Sequence, residues 1–264
     1  MAVATQVNDV PLHTASYGFR TTTFGTIIGR SIMVEDLTQI FAVCPSDARI
    51  EDYTSAAIDQ NVLGKPTASA RRFGFRNLRE FYALDQNILI FRTLRDLWDA
   101  DPEAQPLLAL LCATARDPIL RAVTPFILAL QPATVVTPAM ISEESERKFP
   151  GKFRPSPIHT LGRNAASSWE QAGLLYGKRD KERTLPEVCP TSLAYALLLG
   201  DLCGSRGRAL FDTLWARMLD APEQVLRDRA AAASRQGWIE YRSSGDVIDV
   251  SFRHLMREDW EVRA

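Results

Sequence analysis

Residues 220–252 specify a complete supersecondary unit, and that unit limits what the rest of the chain can build. Asp220 is placed to cap a helix, Pro222 suits its first turn, and Glu223 stands at the capping-box position three residues on. Val225, Leu226, Ala230 and Ala233 recur at helical spacing for one buried face, while Gln224, Arg227, Asp228 and Arg235 point elsewhere. Gly237 supplies the stop. Beyond it Ile239 and Tyr241 alternate with Trp238, Glu240 and Arg242, residues 243–246 read as a turn, and Ile248, Val250 and Phe252 alternate with Asp249 and Ser251. Helix, glycine stop and hairpin form the end of a winged helix, and residues 190–203 and 208–219 read as the two helices before it.

Upstream the pattern is helical. Residues 32–43 and 50–63 predict two amphipathic helices, and Gly64-Lys65-Pro66 forces a turn. Thr67 or Ser69 then caps a third helix reaching Phe81 or Leu84, which makes a helix-turn-helix-like unit. Residues 87–98, 106–115 and 119–130 are apolar helices broken at Asp101-Pro102 and Asp117-Pro118. Residues 137–148 and 157–171 predict two more helices, and Ala172-Gly173-Leu174-Leu175-Tyr176 repeats the glycine-then-apolar exit of the C-terminal unit. A second wing is expected there, its tip at residues 177–183. The fold expected is mainly α, a multi-helix protein built from helix-turn-helix and winged-helix-like units with short β-hairpin wings. Residues 1–20 are expected as a flexible N-terminal arm, 21–150 as an N-terminal helical domain, and 151–264 as a C-terminal winged-helix-like region.

A chain of 264 residues, 46% hydrophobic and 24% charged, has enough apolar side chain for a substantial core. Its net charge of −1 means that any nucleic-acid surface must be a local patch. Cys44, Cys112, Cys189 and Cys203 are scattered without zinc-like spacing, so no metal or cofactor is expected, and reduced thiols in the cytoplasm fit them. The apolar stretch 106–130 is interrupted by Arg116, Asp117, Pro118 and Arg121, so no membrane insertion is expected. His13, His159 and His254 lie far apart in sequence and no nucleotide or nucleophile motif is present, so the chain is not read as an enzyme. Gly204-Ser205-Arg206-Gly207 lies between helices, not after a strand as a phosphate loop requires.

The densest unopposed positive charge is in the third helix: Arg71, Arg72, Arg76 and Arg79, with Lys65 in the turn before it. Guanidinium groups along one helix suit phosphates and guanine edges; the ordinary alternative is a solvated face paired with Glu80 and Glu51. Lys152, Arg154, Arg163, Lys178 and Arg179 are candidate flanking phosphate contacts. Glu240, Asp246 and Asp249 make the C-terminal wing acidic, which suits a protein partner better than a duplex.

Asn61-Val62-Leu63-Gly64-Lys65, then Thr67-Ala68-Ser69-Ala70-Arg71-Arg72, then Leu78 with Tyr82-Ala83-Leu84-Asp85, resembles the N-terminal signature of the BrxA family of bacterial BREX phage-defence loci. Trp169 with Ala172-Gly173-Leu174-Leu175 resembles that family's helix-to-wing step. The resemblance covers residues 34–176. It implies a mainly helical, non-enzymatic, double-stranded DNA-binding accessory protein working beside a methyltransferase, an ATPase and a phosphatase-like protein. The family is sometimes labelled an inner-membrane protein, against which the broken stretch 106–130 argues here. The alternative expectation, from a different class, is an adaptor that recruits a larger defence enzyme without binding DNA.

Overall fold

A computed structural model of the chain describes residues 10–21, 25–178, 180–245 and 247–257. Six helices come first: α1 (Val34–Val43), α2 (Ile50–Thr54), α3 (Ala68–Tyr82), α4 (Leu89–Trp98), α5 (Gln105–Arg116) and α6 (Pro118–Leu128). A middle group follows, with β1 (Val135–Val136), α7 (Pro138–Lys148), α8 (Pro155–Gln171), β2 (Leu175–Tyr176) and β3 (Lys181–Arg183). The last group is α9 (Pro190–Leu202), α10 (Leu214–Arg217), α11 (Glu223–Arg235), β4 (Glu240–Ser244), β5 (Val247–Ser251) and α12 (Arg253–Met256).

Local chemistry sets many of the boundaries. Thr67 accepts the Ala70 amide at 3.1 Å to start α3, and Thr137 accepts the Met140 amide at 3.3 Å to start α7. Gly173 and Gly237, at φ 78° and 83°, take the left-handed conformation that turns the chain out of α8 and α11 into their hairpins. The middle strands pair antiparallel in the order β1-β3-β2, with Val136 opposite Lys181 and Leu175 opposite Arg183. The terminal hairpin runs from Glu240 opposite Ser251 to Ser244 opposite Val247.

Two helices without a polar face form the centre. α5 is buried from Leu107 through Arg116, and α9 from Thr191 through Gly200. Such helices have no side to give to water, so amphipathic neighbours close around them. α5 touches α3, α4, α6 and α9, while α9 also carries α10 and α11. Each buried leucine on them contributes about 2 kcal/mol of transfer free energy.

The charges that interrupt the apolar stretch bind backbone. Arg116 donates to the carbonyls of Gly18 at 2.7 Å and Glu80 at 3.0 Å, and Arg121 donates to those of Arg20 at 2.8 Å and Thr114 at 2.9 Å. Asp117 caps α6 through the Ile119 and Leu120 amides and accepts the Ile27 amide at 2.8 Å. These three side chains, each at 9% exposure or less, bind backbone groups and strap the N-terminal segment over the α5–α6 junction.

Several expectations are corrected. Of the arm expected at 1–20, residues 1–9 lie outside the described residues, while Leu12–Tyr17 is a short 3-10 helix, Val10 and Thr14 are buried, and Phe19 is buried edge-on against Trp215. The second helix ends as a π-helical turn, Ser55–Asp59, short of Leu63. α8 begins at Pro155, two residues before Pro157, because the fixed φ of proline is pre-organised for a first turn. The expected helix 208–219 is divided into a 3-10 segment, Gly207–Asp212, and α10, since Thr213 breaks the run to cap α10. Asp220 does not cap α11: it sits at φ 49° and its carboxylate receives Arg183, leaving Pro222 as N-cap. Val225 lies at 37% exposure, away from the buried Leu226, Ala230 and Ala233. Strand pairing runs through Ser243 and Ser244, where a turn was expected; Asp246 lies outside the described residues.

Candidate nucleic-acid interface

α8 has a buried face, two engaged flanks and one outward face. Leu161, Ala165, Ala166 and Trp169 are buried. On one flank Gly162 lies so close to α7 that a Cβ there would meet the Pro138 carbonyl oxygen at 2.3 Å, and the Ser142 hydroxyl donates to the carbonyls of Pro138 at 2.9 Å and Ile158 at 3.0 Å. On the other flank Asn164 donates to the carbonyls of Ile27 at 2.9 Å and Ile28 at 3.2 Å, and Gln171 accepts the Val34 amide at 2.9 Å. Helical periodicity leaves Ser156, His159, Thr160, Arg163 and Ser167 on the outward face. His159 and Arg163 are exposed, and Arg163 donates to the Thr160 hydroxyl at 3.2 Å.

The residues around α8 divide by what already holds them. Arg154 is exposed at the N-cap of α8. Lys152 is half-buried, its ammonium 4.7 Å from the Phe149 ring centroid and 5.7 Å from that of Phe153, and burial lowers its pKa. It fastens the loop before α8 as much as it presents charge. In the hairpin, Lys178 is exposed and Arg179 lies outside the described residues. Lys181 pairs with Glu170 at 2.7 Å, and Arg183, at 1% exposure, donates to the carbonyls of Ile127, Leu174 and Thr184 and to the Asp220 carboxylate. Lys181 and Arg183 of this hairpin are therefore structural.

α3 is divided in the same way. Arg72, Arg76 and Arg79 are exposed and fall within about 60° around the helix axis. Arg71 and Lys65 do not join them. Arg71 turns back to the Ile58 carbonyl at 3.2 Å, and Lys65 pairs with Asp36 at 2.8 Å, so the expected five-cation face holds three. It gains Arg30, whose guanidinium lies 5.5 Å from the centroid of the Phe73 ring while Arg76 lies 5.1 Å from it. A depression of about 370 Å³ runs beside this face, lined by Arg20, Arg72, Arg76, Arg79 and Arg116.

Sequence reasoning missed Arg30, Ser156, His159 and Thr160. Arg30 belongs to no periodic segment. The three on α8 carried a usable signal, because a wing after a helix points to the outward face of that helix. The outer side of α11 is different: Glu223 pairs with Arg227 at 2.6 Å and Arg208 at 3.3 Å, and Gln224 bonds Asp228 at 3.0 Å. Asp101, Glu103 and Cys189 bring ligand-type atoms within 4.8 Å of one another, a grouping invisible in sequence spacing. Burial and those carboxylates push the Cys189 thiol up to about 12.

No family model and no curated protein matches this chain. Among the described residues no helix is long and apolar enough to cross a membrane.

Proposed function

We propose that the chain is a non-catalytic double-stranded DNA-binding protein that presents α8 to the duplex, with Arg154, Arg163 and Lys178 on phosphates and Ser156, His159 and Thr160 nearest the groove. One observation carries this reading. The succession α6, β1, α7, α8, β2, β3, with strands in the order β1-β3-β2, supports reading this group as a winged helix, in which the helix before the hairpin would enter the major groove. We read α9, α10 and α11 with the two-stranded β4–β5 hairpin as a second such unit, without a counterpart of β1 among the described residues.

Non-catalysis is supported by the histidines, each of which has another place. His13 bonds the Leu202 carbonyl, His254 packs edge-on against Trp238, and His159 lies exposed beside Thr160 and Arg163 on α8. The resemblance to the BrxA family supports a cytoplasmic accessory role in phage defence, beside a methyltransferase and an ATPase. The adaptor reading is favoured for one surface only, α11, where neutralised charges suit a protein partner better than phosphate.

Fluorescence anisotropy of a labelled duplex over a salt series tests the proposal. Wild type is expected to bind with a steep salt dependence. R154A/R163A/K178A removes three phosphate contacts and reduces the log–log slope by about 2.7. A wild-type protein that shows no binding at low salt while co-purifying with a neighbouring gene product would replace DNA binding with the adaptor reading.

A further inference from the structure

We propose that the duplex held by α8 continues across residues 25–30 and lays its phosphate backbone on Arg30, Arg72, Arg76 and Arg79, a second contact surface on the α3 side. The inference rests on the DNA-binding reading of α8 and extends it. Residues 25–30 are the physical link. Asn164 of α8 holds the Ile27 and Ile28 carbonyls, the Gly29 and Arg30 amides donate back to Thr26 at 2.8 and 3.3 Å, and Arg30 lies over Phe73 of α3. One turn of B-DNA is about 34 Å long, enough to cross two helices of about 10 Å diameter and the segment between them.

The charge is arranged for an anion that is not part of the chain. Arg30 and Arg76 both lie over the Phe73 ring, 5.5 and 5.1 Å from its centroid, so one aromatic side chain positions two guanidinium groups. Among the described residues, no ion pair joins Arg30, Arg72, Arg76 or Arg79 to a carboxylate. The acids lining the depression are engaged: Glu80 pairs with Arg20, and Asp85 accepts both the backbone and side-chain amides of Asn87. Arg116, at the back, is occupied by carbonyls. Phosphodiester oxygens spaced along a backbone accept from such guanidinium groups, and exposed ones at i, i+4 and i+7 meet successive phosphates.

The test compares R72A/R76A/R79A with R217A/R229A/R235A, which removes the same charge from exposed positions elsewhere, by anisotropy on a duplex of about 24 bp. Thermal melts verify that both variants are folded. The α3 variant is expected to lower the log–log salt slope by about 2.7, so that the affinity lost between 50 and 200 mM salt shrinks about 40-fold, while the control keeps the wild-type slope. Equal slopes in wild type and α3 variant, or equal reductions in both variants, overturn the second surface and leave α8 binding standing. Failure of wild type to bind any duplex overturns the α8 reading as well.

Discussion

Asn164 on α8 donates its side-chain amide to the carbonyl of Ile27 at 2.9 Å, tying residues 137 positions apart in sequence. The same amide reaches Ile28, so one side chain fixes the outward helix against the segment that carries Arg30. Asn164→Ala leaves both carbonyls without this donor and is expected to cost about 1–3 kcal/mol in urea unfolding. Asn164→Asp faces a carboxylate with two carbonyls and is expected to cost more. Equal stability of the aspartate variant and wild type would show that the contact does not hold α8.

Asp117 divides its carboxylate between two jobs. One oxygen caps α6 through Ile119 and Leu120 at 3.0 and 2.9 Å, and the other tethers Ile27 at 2.8 Å. Asp117→Ala loses both and is expected to lower stability by about 2–4 kcal/mol. Asp117→Asn keeps an oxygen for the cap while turning a donor toward the Ile27 amide. Amide hydrogen exchange is expected to accelerate at Ile27 in the asparagine variant and to stay slow at Ile119. Acceleration at both would mean that the two jobs are not separable.

Asp201 gives the fold a pH dependence of known sign. Burial pushes its carboxyl from 3.8 up to about 6, against the opposing pull of Arg206. The folded state therefore holds the proton more tightly than the unfolded chain, so this contribution is full below about pH 4 and is lost as pH rises through 6. Asp201→Asn is expected to flatten the stability profile between those values and, allowing for solvent screening, to raise stability at pH 7 by about 1–2 kcal/mol. An unchanged profile in thermal melts from pH 4 to 7 would contradict it.

Much of the helical frame was legible because its punctuation is chemical: Gly64-Lys65-Pro66 before α3, the breaks at Asp101-Pro102 and Asp117-Pro118, and the glycines leaving α8 and α11. The β2–β3 hairpin was legible from the same glycine-then-apolar exit. β1 was not, since two residues carry no periodicity and their partner lies in β3, more than 40 residues on. The candidate site was half legible. Helical spacing placed Arg72, Arg76 and Arg79 on one face, but the fates of Lys65, Arg71 and Arg183 depend on Asp36, Ile58 and Asp220, which only the tertiary fold brings near. Asp220 reads locally as a cap, and its contact with buried Arg183 overrides that preference.

The most direct measurement is site-specific photocrosslinking of the folded protein to a labelled duplex, with the photoreactive group placed at His159 on α8 or at Val225 on α11. Both positions are exposed, so reach is comparable. A protein–DNA adduct from position 159 and none from position 225 is the predicted result. An adduct from position 225 alone, or from neither, would contradict the assignment of α8 as the DNA-facing helix.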